Sequence, residues 1–270
     1  MSEMSKGLLR RRISTLLNLR LFTAFRVTKI SSATDSKSSV YINMAEKPIA
    51  NTFAEKATRY FTSLKLPERL PREISIINPY SNKEVNNAVQ RFFKKYFDDN
   101  ENRVFVFGIN PGRFGGGLTG ISFTDPVALR EECGIENDLG DRQELSSKFI
   151  YKMIKEYGGV KNFYTNIFIT ALYPLAIIKD GKNYNYYDSL KLYESLKTQI
   201  ASAIKEQIKF GADRKFAVCL GKKNAKYFIE INDEYNIFEE IRVLDHPRYI
   251  MQYKLKHADA YIRNYLKALK

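Results

Sequence analysis

The chain has 270 residues, 44% of them hydrophobic, with eighteen Phe, eighteen Tyr and no Trp. That length and composition exclude global disorder and suit one enzyme-sized core. Lysine and arginine number 44 against 30 acidic residues, a formal charge of +14, which predicts attraction to a polyanion, nucleic acid before an anionic membrane. Two cysteines outside any CxxC pair and two histidines exclude a disulfide framework and a multi-histidine metal site. Cys133 and Cys219 read as packing residues of a reducing cytosol, and no run approaches the ~20 apolar residues that cross a bilayer.

Residues 1 to 43 form a basic extension, carrying eight basic and two acidic residues and so +6 of the +14. GLLRRRISTLLNLRLF could form a basic amphipathic helix on an anionic surface or an organellar presequence. MAEKPIANTF at Met44 would equally make a natural start, leaving the extension without function. Residues 44 to 270 are expected to be a single α/β domain with a helical segment at its start.

The stretch AEKPIANTFAEKATRYFTSL, from Ala45, predicts a helix with Phe53, Ala57, Tyr60 and Phe61 toward the core. The proline-containing LPERLPREISIINPYS breaks the periodicity. A second helix over about Lys83 to Tyr96 places Val85, Val89, Phe92 and Tyr96 on one side, and RVFVFG, residues 103 to 108, reads as a buried strand. PVALREECG predicts a short helix and LSSKFIYKMIKEYG a longer one. NFYTNIFITALYP supplies strand from about 163 to 173. YYDSLKLYESLKTQIASAIKEQIKFG then reads as helix, KFAVCLG as strand, KKNAKYFIEIN as helix, IRVLDHP as strand, and about Met251 to Leu269 as a terminal helix. This alternation predicts an α/β sheet covered on both faces, with ligands at the carboxyl ends of its strands.

Two motifs fall at that rim. After VFVF, residues 108 to 123 spend seven of sixteen positions on Gly or Pro, while Asn110 is kept at the mouth of the strand. Asn110-Pro111 alone could be a turn. The following GGGLTG permits close approach of a flat or phosphorylated ligand, although neither a Walker loop nor GxGxxG is present. In LDHPRYIMQYK, His246 follows a strand and Pro247 turns the chain. A neutral imidazole there could donate to developing negative charge while Arg248 or Tyr249 reaches a phosphate or base; a strand-end capping histidine is the alternative.

GINPGRFGGGLTGISF resembles the first active-site motif of the single-strand-selective monofunctional uracil-DNA glycosylases, particularly their bacterial branch, in its Asn-Pro-Gly and Thr-Gly-x-x-Phe spacing. DHPR resembles their second motif, and the resemblance covers residue 70 to the C-terminus. It implies a three-layer α/β/α sandwich around a mostly parallel central sheet, with Asn110 positioning the hydrolytic water and His246 contacting uracil O2. Phe123 would stack on the flipped base, with Gly108, Ile109 and Gly112 close to it. Arg113 and Arg248 would meet phosphates, and Arg248 or Tyr249 would fill the vacated stack. Asp125 either caps the turn before Pro126 or helps to order water.

The implied activity is hydrolysis of the N-glycosidic bond of uracil, or a related deaminated or modified base, in single- or double-stranded DNA. No cofactor or metal is called for, and the setting is cytoplasmic, at the bacterial nucleoid when bound to DNA. One departure is Ala171, where relatives carry an asparagine that reads the pyrimidine edge; alanine cannot make that pair of hydrogen bonds. Asn166 faces away from Ala171 in a regular strand, so Thr170, a backbone amide or a water would assist instead. Ala171 keeps open a preference for hypoxanthine or xanthine. A non-catalytic damage-recognition module and a nucleotide- or phosphate-binding protein are the non-glycosylase readings. The amide-rich KDGKNYNYYD, residues 179 to 188, either touches extruded DNA or anchors the next helix.

Overall fold

A computed structural model describes residues 51–270. The expected basic extension and residues 44–50 of the following domain lie outside them. Helix α1 (Phe53–Thr62) starts at a capping box: Thr52 Oγ1 accepts from Glu55 N–H, and the Glu55 carboxylate accepts from Thr52 N–H. Phe53, Ala57 and Phe61 are buried as the periodicity requires, whereas Tyr60 is only partly so. The proline-rich stretch is not featureless: it holds strand β1 (Ile74–Ile77). Helix α2 (Lys83–Phe97) and strand β2 (Arg103–Gly108) match the sequence reading.

The glycine loop contains a single-turn helix α3 (Gly116–Thr119) and leads to α4 (Pro126–Glu131) and α5 (Leu145–Tyr157). Residues 163 to 166, expected as strand, instead finish helix α6 (Val160–Asn166), and strand β3 (Ile167–Ala171) begins only afterwards. The helix survives its aromatic and β-branched residues because Gly159 O takes Phe163 N–H and Asn166 Nδ2 donates back to Asn162 O. Strands β4 (Ala176–Lys179) and β5 (Lys182–Tyr184) form a hairpin unforeseen in the sequence, followed by α7 (Leu190–Ile208).

Strand β6 (Ala212–Leu220), helix α8 (Lys222–Tyr235) and strand β7 (Glu240–Leu244) come next. The expected single terminal helix is two: α9 (Pro247–Tyr253) and α10 (Ala258–Ala268), separated at Lys254 (φ −130°) by a 3-10 turn. Pro247 at the first turn lets α9 start directly after His246.

The central sheet has the order β3-β2-β6-β7 and is parallel throughout, with helices flanking it. A separate antiparallel sheet, β1-β4-β5, stands beside it. In the parallel sheet every strand ends on one rim, and Gly108 at the end of β2 pairs in register with Ala171 at the end of β3. The core toward the amino ends of these strands is aromatic: Phe53, Phe97, Phe105 and Phe168 meet ring to ring, with Phe53 and Phe168 centroids 4.9 Å apart. At the opposite end of β2 the buried Arg103 pairs with Asp99 at 2.8 Å and donates through Nε to Tyr164 O at 2.8 Å. Its guanidinium lies 4.9 Å from the ring centres of both Phe53 and Phe97.

Candidate active site

The carboxyl ends of β2, β3 and β7 open into a cavity of about 490 Å³ whose wall includes Gly108, Ile109, Asn110, Gly112, Phe123, Ala171, His246, Arg248 and Tyr249. Residues more than a hundred positions apart in sequence therefore share one chamber.

Asn110 is held from two sides. Its Nδ2 donates to Tyr184 O at 3.1 Å and its Oδ1 accepts from Tyr186 N–H at 3.2 Å, so the side chain pairs with the end of β5 as a strand would. An amide has two donor hydrogens and two acceptor lone pairs, which leaves one of each for a ligand. The Asn side chain is thus fixed before any substrate arrives.

Phe123 adopts a left-handed backbone (φ 55°) and covers the Gly108 backbone. The strained turn is stapled by Thr119, whose hydroxyl donates to Thr124 O at 2.6 Å and accepts from Ile121 N–H at 3.1 Å. Gly120 (φ 72°) passes so close to Tyr80 and Val89 that a Cβ would clash with both, and Tyr80 Oη donates to its carbonyl at 2.7 Å. The Thr-Gly-x-x-Phe spacing is therefore a turn that aims one aromatic ring into the cavity.

His246 caps α9: its Nδ1 accepts from Arg248 N–H at 3.2 Å, which assigns the ring proton to Nε2. Burial, reinforced by the Arg248 charge, lowers its pKa from 6.5 to about 4. At neutral pH the ring is an uncharged donor, 5.7 Å from the Phe123 ring centre.

The other expected residues do not all reach the cavity. Thr170 is buried away from the cavity, its hydroxyl bonded to Gln207 Oε1, while Gln207 Nε2 donates to Ala171 O at 3.2 Å. Asp125 lies behind the wall as a cap, accepting from Ala128 N–H at 2.8 Å and Glu144 N–H at 2.9 Å. Arg113 packs its guanidinium on Phe114, 4.4 Å from the ring centre, with Arg142 on the same ring at 5.0 Å. Phe114 in turn lines the cavity. Tyr249 and the 71% exposed Tyr253 stand 5.6 Å apart at the mouth.

Several wall residues were not named individually from sequence, among them Glu144 and, within the 179 to 188 segment read as touching DNA or anchoring the next helix, Asn183 and Asn185. Asn183 and Asn185 reach the cavity from the β5 hairpin, Asn183 accepting from Arg113 N–H at 3.0 Å. Their alternation within KNYNYY is the signal that puts them on one side. Glu144 also lines the wall, and no motif in the surrounding QELSS marks it.

The profile of the uracil DNA glycosylase superfamily matches residues 94–270. The chain belongs to this superfamily. Twelve solved chains match it in structure. One is the crystal structure of wild-type Pedobacter heparinus SMUG2, 40% identical, with a TM-score of 0.77, covering 80% of this chain and 96% of that one. The glycosylase fold and its SMUG-like branch agree with what GINPGRFGGGLTGISF and DHPR implied. No curated protein matches the chain. Among the described residues of the glycosylase, no helix is long and apolar enough to cross a membrane.

Proposed function

We propose that this cavity is where the protein, a monofunctional uracil-DNA glycosylase, hydrolyses the N-glycosidic bond of uracil flipped out of DNA, leaving an abasic site. The observation that carries the assignment is the meeting of Asn110, Phe123 and His246 in one chamber. Phe123 offers the base a stacking face that offsets part of the unstacking cost, which is least in single strands and mismatches. The departing base takes the bond's electron pair, so the Nε2–H of a neutral His246 beside O2 favours the transition state over the bound substrate. Asn110, held by Tyr184 and Tyr186, orients the attacking water through its remaining acceptor. No strong base is required there, because the sugar carbon is already cationic in character.

The charge of the body supports phosphate contacts by Arg248 and by Arg113 and Arg142, which stack on the cavity-lining Phe114. A DNA substrate supports the reading of a cytoplasmic protein that works at the bacterial nucleoid.

Ala171 favours a second reading for base preference. The strand end that pairs with Gly108 brings no side-chain amide to the cavity, and the Thr170 hydroxyl is committed to Gln207. The pocket therefore discriminates uracil from hypoxanthine and xanthine less sharply than an asparagine would. Base release from matched single-stranded and duplex oligonucleotides carrying uracil, hypoxanthine or xanthine tests both readings. Release of uracil alone removes the broader specificity, and tight binding without release of any base removes the enzyme assignment.

A further inference from the structure

Glu144 is the single carboxylate among the residues lining the cavity. Its oxygens lie directly on the loop that starts with Asn110-Pro111: a Cβ at Gly112 would run into Oε1, and one at Gly115 into Oε2. The head group accepts from Phe114 N–H at 3.3 Å, and its own backbone N–H is fixed by Asp125 at 2.9 Å. Gly112 and Gly115 thus serve Glu144 as much as any ligand.

Keeping a carboxylate here is costly. Burial raises its pKa above 4.5, opposed by the Phe114 and Gly115 N–H groups and by Arg248 acting through space. It also repels the phosphates of any DNA entering the site. A group that weakens substrate binding is compatible with catalysis when its interaction improves in the transition state.

We propose that Glu144 faces the sugar of the flipped nucleotide and stabilises the positive charge that develops there as the base leaves. This rests on the glycosylase reading above. In the reaction, the C1′–N1 bond breaks with its electron pair going to the base, and the water oxygen bonds to C1′. The water's proton passes through solvent to the base. The carboxylate forms no bond; it interacts with the charge carried by C1′ and the ring oxygen between those events.

The test compares wild type with Glu144→Gln, which keeps the size and an acceptor for Phe114 N–H, after thermal melting has shown both folded. Uracil release by Glu144→Gln falls roughly 10- to 100-fold in kcat with KM unchanged or lower. Binding is then measured to DNA carrying a cationic pyrrolidine abasic-site analogue and to DNA carrying the neutral tetrahydrofuran analogue. Wild type prefers the cation, and Glu144→Gln loses that preference by about tenfold or more. An equal cation preference in both proteins, or equal weakening toward both analogues, overturns the proposal in favour of a loop-holding role. Failure of wild type to release uracil instead overturns the glycosylase reading on which it stands.

Discussion

The ring of Phe123 occupies the space a side chain at residue 108 would need: a Cβ there would stand 2.6 Å from Phe123 Cε2 and 2.7 Å from Cζ. The ring proposed to receive the base and the glycine ending β2 are one feature. Gly108→Ala forces the ring out of position, because the Thr119 staple and the left-handed backbone leave Phe123 little freedom. We expect a fall in uracil release of about 100-fold, from loss of positioning, with a smaller loss for Phe123→Leu. Steady-state kinetics on uracil-containing single strands check the order of these two effects.

Asn110 is also a structural link. Its Oδ1 protects Tyr186 N–H, and its Nδ2 holds Tyr184 O. Asn110→Ala should cost about 1–2 kcal/mol of stability, the scale of two part-buried hydrogen bonds. Amide exchange at Tyr186 should quicken about tenfold relative to the β2 amides, on the same energy scale. Unchanged protection at Tyr186 would show that the hairpin does not depend on Asn110.

The acid behaviour of His246 has a definite sign. Its folded pKa of about 4 lies below its ordinary 6.5, so the unfolded chain binds its proton first on acidification. The resulting stability is full above pH 6.5 and is lost as pH falls from there toward about 4. Nuclear magnetic resonance titration of the His246 ring, assigned with His246→Gln, should give a midpoint near 4. A midpoint near 6.5 contradicts the neutral donor.

The sequence disclosed the elements whose pattern is enforced by the core. Helices α2, α5 and α7, strand β2 and the second half of β6 each bury an apolar face, and the apolar spacing reports it. The β1-β4-β5 sheet escaped notice because its strands are three or four residues long and partly exposed. Helix α6 looked like strand because Phe163, Tyr164 and Thr165 favour sheets, while its local hydrogen bonds overrule that preference. The cavity was legible where backbone constraints mark it, at Asn110, Gly112, Phe123 and His246. Glu144 was not, since its meaning comes from the two distant glycines it touches.

The far end of β2 offers a test of the scaffold alone. Hydrogen bonding from Arg103 holds the Asp99 carboxyl below its ordinary 3.8. The pair's contribution is therefore present above that value and lost as pH falls below it. Arg103 is buried but the Asp99 side chain is 40% exposed, so solvent screening limits the loss in Asp99→Asn to roughly 1–2 kcal/mol. Urea denaturation at neutral pH should show that difference, and it should shrink below pH 3. A difference that grows on acidification would contradict the pairing.

The most direct test of the central claim is single-turnover release of uracil from a single-stranded oligonucleotide by wild type, Asn110→Ala and His246→Ala, with DNA binding measured on the same samples. The account predicts release by wild type and a loss of about 100-fold or more in each variant, with binding retained within a few-fold. Release by either variant at the wild-type rate would contradict the site, and binding without release by wild type would contradict the activity.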